Sequence, residues 1–324
     1  MRYLSVCSGI EAATVAWHHM GWQPVGFSEI EKFPSQVLAH HYPNVPNLGD
    51  MTNFKEWDIG AIDLLVGGTP CQSFSVAGLR RGMADPRGNL ALGYCGILDH
   101  FRPRWFVWEN VPGVLSSNGG RDFGSFLGAL AELGYGFAYR VLDAQWFGVA
   151  QRRRRVFVVG CLGDWRRAAA VLFERQSLCR DSAPSREEEK EPSSFFESSL
   201  AQYRQADVAG TMKASGGVLG GGSETFLAQP VALAEKTIGR QPMNGGENVL
   251  IQKMAVRRLT PTECERLQGF PDDYTRIPLK DKCPVDVINF AADGPRYKAL
   301  GNSMAVPVMK WIGKRINFFE SIIE

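Results

Sequence analysis

A chain of 324 residues, 44% hydrophobic and 22% charged, has the material for one large apolar core and a smaller companion domain, which excludes a disordered or fibrous protein. Its formal charge of only +2 excludes a domain that is basic throughout, so an anionic partner would be met by a local patch. Seven cysteines, an odd number with no CxxC pair and no metal-like cluster with histidine, argue against a metal centre and a disulfide framework.

The first third alternates short apolar runs with amphipathic ones. "RYLSV" reads as a strand, "GIEAATVAWHHMG" as a helix with apolar residues three and four apart, and "PVGFS" as a strand. "EKFPSQVLAHHY" reads as a helix despite its early proline, and "IDLLV" and "RWFVW" as strands. "DFGSFLGALAELGYG" then gives a helix and "RRVFVVGCL" a late strand. Strands spaced by helices imply parallel crossovers and a doubly wound α/β sheet. After about residue 172 the pattern changes. "SAPSREEEKEPSS" is a charged, proline-bearing linker, and "GTMKASGGVLGGGSE" is too glycine-rich for a regular element. Order returns at "RRLTPTECERLQGF", where Thr260, Pro261 and Glu263 make a capping-box helix start. "NSMAVPVMKWIGKRINFF" gives a final helix, with Pro307 in its first turn or kinking it.

Open parallel sheets bind ligands outside the carboxyl ends of their strands. Gly9 follows the first strand, Glu29 closes "PVGFSE", Cys71 follows "IDLLVGGTP", and Glu109 with Asn110 ends "RWFVWEN". Four strands thus deliver a glycine turn, a carboxylate, a thiol and a second carboxylate to one rim. A free cysteine is commonly a small buried hydrophobe, but a Gly-Gly-Thr-Pro approach holds this one on a turn. Glu109 emerges from an apolar run, where burial favours the protonated form, and a protonated carboxyl beside a thiol suits covalent catalysis. In "QRRRRVFVVG" strand alternation puts Arg153 and Arg155 on one side and Arg152 and Arg154 on the other, although such runs are also surface charge or localisation signals. Arg80, Arg81 and Arg87, in the loop after the thiol, either clamp a polyanion or are solvated loop charges.

"GGTPCQSFS", "ENVPGVL", "QRRRRVFVVG", "LTPTECERLQGFPDDY" and "YKALGNSMAVPV" resemble, in order, the motif set of the DNA (cytosine-5)-methyltransferases, and "SVCSGIEAATVAW" is similar to that family's first motif. The resemblance covers all but about residues 173–255. It implies a Rossmann-like, S-adenosyl-L-methionine-dependent catalytic domain, residues 1–172 plus 296–324. A smaller, irregular target-recognition domain, 173–295, would include a linker at about 180–195. The implied roles follow by position. Cys71 is the nucleophile that adds to C6 of a flipped-out cytosine, Glu109 contacts N3 and the exocyclic amine, and Arg153 and Arg155 complete the base site. Ser8, Gly9, Ile10, Glu29, Ile30, Asp50, Met51, Pro70, Leu90, Asn302 and Ser303 fall where the family holds its cofactor. Gln72, Ser75, Arg80, Arg81 and Arg87 would meet DNA, and Lys213, Arg240, Gln241 and Asn244 would read base edges from the variable region, unless that region is a disordered insert.

The expected partner is double-stranded DNA, with no metal and no membrane. The chain is expected to act as a monomer in the cytoplasm, on the nucleoid when DNA-bound, with any cognate restriction endonuclease acting separately. Two departures from the first motif stand out. Cys7 replaces a common aromatic, weakening adenine stacking, and Glu11 replaces a glycine, so its charge turns to solvent or meets the cofactor's ammonium. A tRNA methyltransferase is a competing reading, opposed by the absent Cys-Phe-Thr signature and by Thr69 where a second proline is usual. A catalytically silent DNA-binding subunit is another, opposed by retention of both Cys71 and Glu109.

Overall fold

β1 (Arg2–Val6) is buried from Tyr3 onward because it pairs on both sides, with β2 (Gln23–Ser28) and with β3 (Leu64–Gly67), in parallel. This computed structural model describes residues 1–69, 90–173, 194–199, 202–206, 209, 225–232, 252–279 and 289–322. The sheet runs β2-β1-β3-β4-β6-β5, with β4 (Trp105–Asn110) parallel to β3. β3 and β4 are buried along their whole length, as strands covered on both faces must be. The expected parallel crossovers build β1 to β4, and the other side of the sheet is antiparallel. β5 (Tyr135–Asp143) and β6 (Arg154–Leu162) form a long antiparallel pair, and β6 also runs antiparallel to β4.

Helices cover both faces. Tyr3, Trp105, Val107, Phe157 and Val159 pack against Trp17 of α1 (Ala12–Trp17), Val171 of α5 (Trp165–Leu172) and Met309, Ile312 and Ile316 of α8 (Val306–Ser321). Leu65, Phe106, Trp108 and Val158 pack against Tyr94 and Ile97 of α3 (Leu90–Phe101) and Phe126 and Leu130 of α4 (Arg121–Glu132). α2 (Lys32–His41) flanks β2. α8 begins with Pro307 in its first turn, and its return to the first helix is fixed by Trp17 Nε1 donating to the Met309 carbonyl at 2.8 Å.

α6 (Pro261–Gln268) starts with the expected capping box: Thr260 Oγ1 accepts from the Glu263 amide at 3.3 Å, and Glu263 Oε2 accepts from the Thr260 amide at 2.7 Å. Leu259, Cys264, Leu267, Phe270, Tyr274 and Ile277 belong to the same apolar cluster as Tyr3 and Ile10, so this stretch packs on the sheet body. α6 is locked to α7 (Asp293–Asn302) by buried Glu265, whose Oε1 accepts from the Thr275 amide at 2.8 Å and faces Arg296 Nη2 at 3.3 Å.

The segment expected to be irregular contains a second sheet. β7 (Ser194–Ser199), β8 (Gln202–Ala206), β9 (Thr225–Ala232) and β10 (Gln252–Arg258) pair antiparallel in the order β10-β9-β7-β8. Ala209, outside that sheet, bridges to the body at Gln151: its amide donates to Ala150 at 3.0 Å and its carbonyl accepts from Arg152 at 2.9 Å. A two-stranded ribbon, β11 (Pro278–Leu279) with β12 (Asn289–Phe290), precedes α7. Among the described residues no helix is long and apolar enough to cross a membrane.

Candidate active site

The carboxyl ends of β1 to β4 and the start of β6 surround a cavity of about 440 Å³. Gly9, Glu29, Ile30, Asp50, Met51, Leu90 and Asn302 line it, together with Glu109, Arg153 and Arg155. A second cavity of about 40 Å³ adjoins it, lined by Ser8, Glu11, Glu109 and Ser303 among others. Ile10 is set apart: its side chain is fully buried in the core and lines neither cavity, so only its backbone faces the turn.

The turn after β1 is unusual in backbone. Cys7, Gly9 and Glu11 have φ of 48°, 56° and 66°. A left-handed conformation costs a non-glycine residue roughly 1–2 kcal/mol, which explains why glycine suits position 11. Glu11 offsets that cost by capping α1. Its Oε1 accepts from the Thr14 amide at 3.2 Å and from Thr14 Oγ1 at 3.1 Å, and its Oε2 accepts from Ser5 Oγ at 2.8 Å. The carboxyl therefore points into the protein rather than to solvent. Burial pushes its pKa up to about 7, opposed by hydrogen bonds from Ser5 and Thr14. Cys7, its pKa raised to about 12 by burial and by Glu29 and Asp50, is a neutral thiol against Met51 Sδ.

Glu29 is held rigidly. Its Oε2 accepts from the Gly9 amide at 2.8 Å and its Oε1 from the Glu31 amide at 2.7 Å, which aims the remaining lone pairs into the cavity. Asp50 caps the turn that follows through Thr52, and Met51 is buried beneath it. A fixed carboxylate over an open glycine turn suits a ribose diol, and neither Gly9 nor Gly49 has any atom within 4 Å of where a Cβ would stand. These residues fit an S-adenosyl-L-methionine-sized nucleoside cofactor.

On the other side of the cavity Glu109, only 8% exposed, faces Arg155, whose Nε lies 3.1 Å from Oε1. Burial raises the Glu109 pKa, with Arg155 and Arg153 pulling the other way. Alternation along β6 is as expected: Arg152 and Arg154 are exposed, while Arg153 is buried and Arg155 half-buried on the cavity side. Burial, reinforced by Arg155, lowers the Arg153 pKa to about 9.

The approach to the thiol explains the two glycines of "LLVGGTPC". A Cβ at Gly67 would lie 2.6 Å from the Val6 carbonyl oxygen, and one at Gly68 would lie 2.9 Å from Glu109 Oε2. Thr69 is then tied to β4 twice: its Oγ1 accepts from Trp108 Nε1 and its carbonyl from Asn110 Nδ2, each at 3.0 Å. Sequence analysis uses the Gly-Gly-Thr-Pro approach only to place Cys71; the contacts of Gly68 with Glu109 and of Thr69 with Trp108 are found in the structure, although a Gly-Gly pair at a strand end marks close backbone approach. Pro70, Cys71, Gln72, Ser75, Arg80, Arg81 and Arg87 lie outside the described residues, as do Lys213, Arg240, Gln241 and Asn244. Among the described residues no group of three or more His, Cys, Asp or Glu side chains is placed to hold a metal ion.

A profile of the C-5 cytosine-specific DNA methylases matches residues 1–194 and 172–317. A protein of Escherichia phage P1 named DNA N-6-adenine-methyltransferase is 36% identical over 97% of this chain, which spans 61% of that relative's length. Type II methyltransferase M.SsoII of Shigella sonnei is 31% identical over 97% of this chain and 79% of its own. The Dnmt2 methyltransferase of S. pombe superposes with a TM-score of 0.61 at 17% identity, covering 99% of both chains, a likeness of fold. With a family profile that takes in nearly the whole sequence, over a cavity bounded by the paired Glu109 and Arg155, the chain belongs to the C-5 cytosine-specific DNA methylase family.

Proposed function

We propose that this protein methylates C5 of a cytosine flipped out of duplex DNA, with S-adenosyl-L-methionine as donor and Cys71 as transient nucleophile. The observation that carries the reading is the buried Glu109 carboxyl, paired with Arg155 and packed against Gly68, which stands three residues before Cys71 in the sequence. The C5 carbon of cytosine is a poor nucleophile because its electrons belong to an aromatic ring. Addition of the Cys71 thiolate to C6 breaks the C5–C6 π bond and moves that electron pair towards C5. Glu109, whose pKa burial raises against the pull of Arg155 and Arg153, would donate a proton to N3 and offset the charge arriving on the ring. The bound cofactor supplies an electrophilic methyl group. C5 would take that methyl with S-adenosylhomocysteine leaving, a base would remove the C5 proton, the C5–C6 double bond would re-form as the thiolate leaves, and N3 would return its proton to Glu109.

Glu29 would orient the ribose, with Gly9, Asp50 and Asn302 around the rest of the cofactor. A thiol of ordinary pKa near 8.5 is only slightly ionised at neutral pH, so Cys71 would need nearby positive charge to favour the thiolate. Flipping the target base costs a few kcal/mol of unpairing and unstacking. Target recognition is assigned to the segment from 173 to 295, and the packing of Leu259 to Ile277 on the sheet body favours its earlier part.

The phage P1 relative is named for adenine N6. Transfer to an exocyclic amine needs no nucleophile added to the ring, and would leave the Gly68–Thr69–Cys71 approach and the Glu109–Arg155 pair without a task. Expressing the chain in a methylation-free host and analysing the DNA nucleosides separates the two. The expected product is 5-methylcytosine; N6-methyladenine alone would overturn the assignment.

A further inference from the structure

Arg153 is buried at the start of β6 and clamped by the end of β5. Its amide donates to Asp143 Oδ1 at 2.9 Å, and its carbonyl accepts from the Ala144 amide at 3.1 Å. From that anchorage a single nitrogen, Nη2, donates to the carbonyls of Gly301 at 3.0 Å and Ser303 at 2.6 Å. Those two residues flank Asn302, which lines the main cavity on the cofactor side. Two residues along the same strand, Arg155 holds Glu109 on the base side. A second brace reaches the same segment from α6, where Gln268 Nε2 donates to the Leu300 carbonyl at 2.9 Å.

We infer that Arg153 is a positioning residue that couples the two halves of the pocket: it holds residues 301–303 in the form that binds the cofactor and transmits the state of the base side to them. The inference rests on the methyltransferase reading above. The contact is made by a guanidinium bonded to backbone carbonyls, so it survives sequence change at 301–303 but not loss of the fork. A lysine ammonium would keep the charge and lose the planar geometry. Any coupling must be reciprocal, with cofactor and DNA each tightening the other by the same factor.

The test is the affinity of the full chain for S-adenosylhomocysteine, by calorimetry, with and without a duplex carrying the methylated site. Wild type should bind this product at least about fivefold tighter with DNA present, the lower end of ordinary coupling. Arg153→Lys should bind it about tenfold more weakly without DNA and lose the DNA-dependent gain, while its melting temperature shows that it is folded. Arg155→Lys should keep the DNA-free affinity within twofold and lose turnover instead. Wild-type affinity and gain in folded Arg153→Lys would overturn the inference, as would a wild type with no gain. Should Arg153→Lys not fold, Arg153→Gln, which keeps an amide donor, carries the same comparison. Failure of the wild type to bind S-adenosylhomocysteine at all would instead sink the methyltransferase reading.

Discussion

At the scale of single residues, geometry rather than residue type does much of the positioning. Glu109 can approach Gly68 closely because nothing stands where a Cβ would lie 2.9 Å from its Oε2. Gly68→Ala must displace either the carboxyl or the backbone leading to Cys71. A misplacement of about 1 Å at a reacting centre costs roughly a hundredfold in rate. Turnover of Gly68→Ala should fall by about that factor with cofactor affinity little changed, and wild-type turnover in a kinetic assay would contradict the proposed contact. Glu11 offers a separate test. Its folded pKa, pushed up to about 7 by burial, exceeds its ordinary value of 4.5, so the folded state binds the extra proton. The stability this contributes is present below about pH 4.5 and is lost as pH rises towards 7, on the order of 3 kcal/mol across the window. Glu11→Gln should therefore raise the melting temperature at pH 8 by several degrees and leave it nearly unchanged at pH 5. An unaltered pH dependence in scanning calorimetry would show that Glu11 is charged in the fold. The sequence placed Glu11 at the cofactor turn, but only the αL backbone and its three donors reveal that it faces inward.

At the scale of elements, β1 to β4, β6 and the amphipathic helices α1, α2, α4, α6 and α8 were legible, edge strand β2 included, whereas α3, α5, α7 and β5 were not. α6 is written in the sequence as Thr-Pro-x-Glu, and both reciprocal bonds form. α3 gives no periodic signal because Ala91 through Leu98 are buried all round, so there is no polar face to mark its turns. β5 follows α4 directly after Gly134, whose φ of 82° ends the helix; the expected helix runs two residues into this half-exposed edge strand, and the rest of the strand gives no pattern of its own. The last helix was read correctly, but its seat depends on a glycine that the pattern did not single out. A Cβ on Gly313 would run into the Trp17 indole. Gly313→Ala should lower stability by about 1–3 kcal/mol through overpacking, with a matching fall in the melting temperature. A neutral result would mean that α1 and α8 are free to separate.

At the scale of the whole molecule, one rim collects groups that are far apart in the chain. Parallel β1 to β4 bring Gly9, Glu29, Gly68 and Glu109 to the same edge, and the antiparallel β6 brings the arginines there from the opposite direction. That reversal is why Arg153 and Arg155 lie at the start of their strand while the carboxylates lie at the ends of theirs. The sequence carried the rim, because strand ends and turn residues are local signals. It carried the second sheet poorly, because β9 joins β8 and β10 only across long connections, the first of them glycine-rich. In the proposed reaction this rim lets Cys71 add to a cytosine while Glu109 protonates the ring. With a duplex carrying 5-fluorocytosine at the target, the final proton cannot leave. Wild type with S-adenosyl-L-methionine should then form a complex that survives denaturing electrophoresis, whereas Cys71→Ala should form none and Glu109→Gln should form it far more slowly. A trapped complex in the alanine variant would contradict the account.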